Sequence, residues 1–413
     1  MSPLIPTEIY ELFFLYISRG DHPIRNLKSC ALTCRIFSAI SRRYIFNTIE
    51  ISYARPDQFG QLSKAFLMNS SLGEYVRNLI IRDSVLPGYT HLLEDYSLEI
   101  SRILRLLSQL NRMELIYHGS RSLTVSWAKL RVEIRAAFGD ILKADYFSSL
   151  HLSHVSDVPV SLIMNCTGLK TLDLTHVRME DSSNDTSTTT PYSPTCTRLD
   201  LFTFRNSNQA ASILIRLAAR SQSAFEFSLC STVKWCPETL AEAIETSQDI
   251  LPLFGSHPLH KFAVHLGLAE HAVLAGLSRH LFMQSCTLLQ SFTMDVQIWP
   301  FKDRNATLGP TLSSLLNTFT SPNNLREINI LISGGRTFLT SDAVDQIIKH
   351  GKLQELDVLL TGPKFPELRK VNFQLIVSTF KVVRQRQQIL QMIENGLTGL
   401  VTSTSIELKL EAR

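Results

Sequence analysis

Leu169-Lys170-Thr171-Leu172-Asp173-Leu174 decides the fold: one apolar residue, two spacers, then two apolar residues flanking a polar one. The last three alternate with a period of two, so Leu172 and Leu174 belong to one face of a strand and Asp173 to the other. Leu169 anchors the turn before it. The same phrase returns as Leu325/Ile328/Ile330, Leu353/Leu356/Val358 and Leu368/Val371/Phe373. Looser copies are Phe46/Ile49/Ile51, Val76/Leu79/Ile81, Leu110/Met113/Leu115, Phe147/Leu150/Leu152, Leu199/Phe202/Phe204, Leu259/Phe262/Val264 and Leu289/Phe292/Met294. Between them lie helical patterns, among them Leu92 to Leu110, Ala210 to Arg220 and Leu268 to Met283. A strand with a return helix cannot bury its own apolar face, so such units must stack on their neighbours. The expected class is α/β, an irregular solenoid of strands and helices.

Over residues 47–375 this array resembles a divergent leucine-rich-repeat domain. The polar position after the strand is seldom Asn here; Ser84, Ser207, Ser333 and Thr361 stand there instead. A doubly wound parallel sheet also alternates strands with helices, but it should offer a Gly-rich strand-to-helix turn for phosphate, and the chain has none. Strand positions pointing away from the core are the expected substrate-binding residues: Asp173, Thr203, Thr293, Asn329, Asp357 and Asn372.

The first forty-six residues read differently. In IPTEIYELFFLYI, Pro6 suits a first helical position, and Glu8 and Glu11 complement the helix dipole. Ile9, Phe13 and Ile17 form a stripe, while Tyr10, Phe14 and Leu15 make the neighbouring faces apolar too, wider than a surface helix needs. Gly20-Asp21-His22-Pro23 breaks the helix. Ile24, Leu27, Ala31 and Cys34 continue a second stripe, and Phe37, Ile40 and Tyr44 a third. Residues 1–46 resemble the F-box, a three-helix module. Ile5-Pro6-Thr7-Glu8-Ile9 is similar to its Leu-Pro-x-Glu-Leu opening, and Phe13, Phe14, Tyr16 and Ile17 fall at its Ile-Leu-x-Tyr-Leu run. Leu27, Cys30-Ala31-Leu32-Thr33-Cys34-Arg35 and Phe37 match its second half, with Phe37 where the family usually has Trp.

The resemblance implies docking onto the Skp-type linker of a cullin-RING ubiquitin ligase through Pro6, Ile9, Phe13, Leu27, Leu32 and Phe37, and a protein substrate bound by the repeats. Spacing alone does not sort partner-facing residues from core residues. The alternative is a repeat-domain scaffold, unrelated to ubiquitin transfer, with a helical cap.

Composition sets the outer limits. With 44% hydrophobic and 19% charged residues the chain is globular. Its 41 basic against 37 acidic residues leave no field that points to nucleic acid or an acidic membrane. The N-terminal apolar run, interrupted by Glu8, Glu11 and Arg19, reads neither as a signal peptide nor as a span. Seven cysteines without a repeated short spacing suit free thiols in an intracellular compartment, cytoplasm or nucleus.

No catalytic residue, metal site or cofactor is expected, since P-loop, GxGxxG, HExxH and GxSxG patterns are missing. The histidines His257, His260, His265, His271 and His280 are the best candidates for a zinc-dependent hydrolase, and their spacing matches no helical ligand pair. Cys30 and Cys34 read as small core residues, and Cys230 to Cys236 around Trp235 as packing. Residues 180–197, rich in Ser and Thr, read as a disordered surface loop, with Thr190-Pro191 and Ser193-Pro194 as ordinary loop dipeptides. Residues 376–413 read as a C-terminal cap of a helix and a last strand, Ile406-Leu408-Leu410.

Overall fold

A computed structural model of the chain describes residues 6–84, 92–118, 124–180, 199–220, 232–235, 261–266, 289–298, 312–313, 316–319, 323–334, 353–376 and 386–412. It divides into two compact units, Met1–Thr197 and Arg198–Arg413.

The first unit opens with three helices, α1 (Thr7–Arg19), α2 (Pro23–Ala31) and α3 (Arg35–Ile45). Pro6 stands one residue before α1, its carbonyl accepting the Ile9 N–H at 3.1 Å. Pro23 opens α2, where its missing N–H costs nothing. The α3 N-terminus is capped by Cys34, whose Sγ accepts the Phe37 N–H at 3.5 Å, so this exposed thiol is no core residue as its spacing suggested. Phe14, Leu27 and Ile40 form the core, with Tyr10, Ile17, Cys30, Phe37, Tyr44 and Ile45 packed against it. The buried stripe of α1 is therefore Tyr10, Phe14 and Ile17, turned by one position from Ile9, Phe13 and Ile17. Phe14 meets Phe37 edge-on at 5.2 Å and stacks on Tyr44 at 6.3 Å.

Next come β1 (Thr48–Ser52), β2 (Asn78–Ser84), β3 (Arg112–His118), β4 (Val125–Ser126), β5 (Ser149–Ser153), β6 (Val155–Ser156) and β7 (Thr171–Thr175). β1, β2, β3, β5 and β7 pair in that order, all parallel, and β4 pairs with β6 alone. Register aligns the phrases: Ile49, Leu79, Met113, Leu150 and Leu172 form one row and Ile51, Ile81, Leu115, Leu152 and Leu174 another. None of these ten is more than 5% exposed. Burial of each such side chain contributes about 1.5–3 kcal/mol, and the neighbouring repeat supplies it.

The return path is helical: α4 (Pro56–Met68), α5 (Leu92–Asp95), α6 (Ser97–Leu106), α7 (Val132–Leu142) and α8 (Val160–Met164). Gly73, in the 3-10 turn Ser70–Tyr75, lies so close to α6 that a Cβ there would clash with the Leu106 carbonyl.

The second unit continues the principle with β8 (Leu201–Arg205), β9 (Thr232–Trp235), β10 (Lys261–Leu266), β11 (Ser291–Ile298), β12 (Glu327–Gly334), β13 (Lys370–Ile376) and β14 (Glu407–Ala412), parallel and paired in chain order. Register aligns Phe202, Val233, Phe262, Phe292, Ile328, Val371 and Leu408 in one row, in which Phe202, Phe262, Phe292, Ile328 and Val371 are buried. The rings extend the core sideways: Phe262 stacks on Phe292 at 6.3 Å, Phe292 meets Phe319 edge-on at 5.2 Å, and Phe319 meets Phe365 at 6.2 Å. Among the described residues, helices flanking these strands include α9 (Asn208–Arg220), α10 (Leu353–Thr361), α11 (Arg386–Gly396) and α12 (Thr398–Thr402).

One phrase is misread by its pattern. Leu353/Leu356/Val358 is not a strand but the start of α10, where Leu353, Leu356 and Leu360 are buried and Val358 is 72% exposed. Thr361 accordingly ends a helix. β9 carries no phrase and is an addition, while the last strand falls where Ile406-Leu408-Leu410 placed it. Most of the Ser/Thr-rich segment, the Leu268 to Met283 pattern, and His257, His260, His271 and His280 are outside the described residues, while His265 lies in β10.

Candidate functional site

On the helical module the apolar side chains divide by face. Tyr10, Phe14 and Ile17 turn inward, while Ile9, Leu12, Phe13 and Tyr16 stay in solvent. The exposed four recur at spacings of three and four, which puts them side by side on the helix. Ile24, Leu32 and Ile36 on the following segments are exposed as well. Of the expected docking residues, Pro6 is exposed, and Ile9, Phe13 and Leu32 are 52%, 47% and 88% exposed. Leu27 corrects the expectation: at 1% exposure it sits between Phe14 and Ile40 and can touch no partner without unfolding the module. Phe37 is half-buried, ringed by Tyr10 at 5.5 Å, Phe14 at 5.2 Å and Phe13 at 6.2 Å, so it supports Phe13 from below. α1 is held against α3 by Tyr44, whose hydroxyl donates to the Glu11 carbonyl at 3.2 Å, and by the exposed pair Arg43–Glu11 at 3.4 Å.

The expected substrate face divides between the units. In the second, register places Thr203, Lys234, Ala263, Thr293, Asn329, Asn372 and Lys409 in one row across the strands. The amide of Asn329 donates to Thr293 Oγ1 at 3.2 Å, and that of Asn372 donates to Asn329 Oδ1 and, at 3.0 Å, to Glu327 Oε1. Four of the expected residues are thus brought together on one polar row. Asp173 occupies the equivalent row of the first unit, with Glu50, Ile80, Glu114 and His151. Glu114 is paired there with Arg112 at 2.7 Å, and Glu50 with Arg82 at 2.9 Å.

Asp357 does not belong to this face. On α10 it is 6% exposed, and its carboxylate accepts the N–H groups of Gly399 at 2.7 Å and Leu400 at 2.8 Å. It thereby caps the start of α12, where the first N–H groups have no partner within the helix. Asp83 has a comparable role in the first unit. Its carboxylate accepts the N–H groups of Ser84 at 2.8 Å, and of Leu92 and Leu93 at 3.0 Å each, tying the end of β2 to the start of α5. The alternation of Leu79, Ile81 and Asp83 is the signal that could have found it: an aspartate at a core-facing parity needs local partners.

Among the described residues, no group of three or more His, Cys, Asp or Glu side chains is placed to hold a metal ion. Nor is any helix among them long and apolar enough to cross a membrane.

These features define a mixed α/β protein of parallel strands and return helices, headed by a small helical module with an uncovered apolar face. No family model matches the chain, and no curated protein matches it. Among solved structures, an internalin from Listeria monocytogenes is similar at 14% identity, with a TM-score of 0.25, covering 86% of this chain and 94% of that one. The architecture rests on the strand register rather than on that likeness.

Proposed function

We propose that the chain is a substrate-recognition adapter of a Skp-cullin-F-box ubiquitin ligase. The observation that carries this reading is the solvent-facing set Ile9, Phe13 and Leu32, at positions similar to the F-box motif, on a three-helix module that already has its own core of Phe14, Leu27 and Ile40. Apolar side chains left over after a core is complete favour a partner. In this reading Pro6, Ile9, Phe13 and Leu32 meet the Skp-type linker, while Leu27 and Phe37 shape the surface from beneath. The strands form a leucine-rich-repeat-like solenoid, and the row Thr203, Thr293, Asn329 and Asn372 presents polar groups to a protein substrate. The chain performs no transfer chemistry; other ligase subunits do, inside the cell.

Co-elution with a purified Skp-type linker tests it. Wild-type chain is expected to form a stoichiometric complex, and Ile9→Asp with Phe13→Asp to abolish it while helical circular dichroism is retained, because charges are costly in an apolar interface centre. Failure of the wild type to bind, or undiminished binding by the double variant, would sink the adapter reading in favour of a scaffold.

A further inference from the structure

A cavity of about 230 Å³ opens in the first unit where β2 and β3 end. Register sets Asp83 beside Tyr117 there, each at the inward parity of its strand. Leu93, Val125 and Leu130 give the cavity apolar walls, and Asp83, Glu94 and Tyr117 give it polar groups. Among the described lining residues, two carboxylates stand against one ammonium, that of Lys129.

Tyr117 is 3% exposed, yet its hydroxyl has no hydrogen-bond partner among the described residues. A buried hydroxyl left unpaired is costly, and such groups are rare enough in folded proteins to call for an explanation. Burial, reinforced by the charges of Asp83 and Glu94, holds the phenol well above its ordinary ionisation range, so it stays protonated with its oxygen free to accept. Asp83 has a structural task in its backbone N–H groups, whereas Glu94 is exposed at the cavity.

We propose that this cavity binds a basic side chain, lysine or arginine, carried on a peptide segment. Its methylenes would lie against Leu93, Val125 and Leu130, and its cationic head would donate to the Glu94 carboxylate and the Tyr117 hydroxyl oxygen. An alkyl stem ending in a cation matches apolar walls that end in anionic and neutral acceptors. The proposal is independent of the adapter reading, since neither the helical module nor a linker takes part.

Calorimetric titration of the full chain with N-acetyl-arginine amide, N-acetyl-lysine amide and N-acetyl-citrulline amide tests it. Citrulline keeps the shape of arginine and removes the charge. The two cationic amides are expected to bind saturably and the citrulline amide about tenfold or more weaker, a difference of about 1.4 kcal/mol or more. Glu94→Gln and Tyr117→Phe should each weaken binding of the cationic amides several-fold. Tyr117→Phe should at the same time raise the melting temperature, since it removes the unpaired hydroxyl; a purely structural tyrosine would change stability without changing affinity. No saturable binding by wild type, equal binding of the citrulline amide, or wild-type affinity in both variants would overturn the assignment.

Discussion

The helical module and the parallel strands use the same kinds of apolar side chain in opposite ways. In α1 to α3 and their links, Phe14, Leu27 and Ile40 are enclosed while Ile9, Leu12, Phe13, Tyr16, Ile24, Leu32 and Ile36 remain in water. Along β1, β2, β3, β5 and β7 the two alternating apolar residues of each phrase are enclosed, because the next strand brings its own phrase into register. A strand in the array is completed by its neighbour; the helices are complete as a fold but not as a surface. Exposed apolar area in the first unit is thus densest on α1 to α3 and their links and is not found on the paired rows of its strands.

The sharpest way to break this contrast is Phe14→Ala. A large ring lost from so small a core should cost about 3–5 kcal/mol, enough to unfold α1 to α3. Amide exchange is expected to accelerate across residues 7–45 while the strands β2, β3 and β5 keep their protection; equal loss in the strands would mean the two regions fold as one. Gly73→Ala comes next, because its Cβ meets backbone rather than a yielding side chain. Overpacking of this kind should cost about 1–3 kcal/mol, read as a lower urea midpoint with helical content of the module unchanged.

Asp357→Ala should cost about 0.5–2 kcal/mol, the loss of a helix cap, seen in thermal unfolding of the second unit. Asp357→Asn should recover part of it through the remaining amide oxygen. A pH-confined effect attaches to Tyr117. Its pKa is raised in the fold, so its titration leaves stability unchanged below the ordinary value of 10.0 and lowers it as pH rises above that, when only the unfolded chain releases the proton. Tyr117→Phe should flatten that alkaline decline, measured by denaturant titrations on either side of pH 10.0. The smallest expected change is in stability for Ile9→Asp with Phe13→Asp, within about 0.5 kcal/mol for exposed positions; a larger loss would place these side chains in the core and blur the contrast.

Much of the strand array was legible because its information is local: a period of two, preceded by an apolar residue three positions earlier. The α10 phrase defeats that rule, since Leu353 and Leu356 fit a strand phrase and also, with Leu360, a helical spacing of three and four. Only the surroundings choose between them. Thr232–Trp235 was invisible for the opposite reason: its pairing with β8 and β10 supplies what its own four residues lack. In the helical module the elements were legible, but not the one-position rotation of α1 that sends Phe14 inward and Phe13 out. With apolar residues on nearly every face, periodicity has no polar side from which to take its bearing. Asp357 and Leu27 were misassigned by related shortcuts, a polar residue taken as outward and a motif residue taken as a contact.

The row from Thr203 to Lys409 has a pitch, and the pitch limits what can read it. Successive strands lie about 4.8 Å apart, whereas an extended peptide advances about 3.3 Å per residue, so a chain laid straight across the row drifts out of step within a few strands. One turn of an α-helix advances about 5.4 Å, closer to the strand interval. The spacing of hydrogen-bonded strands, set by the backbone alone, thus acts as a ruler against which any partner spanning several of these residues must be measured.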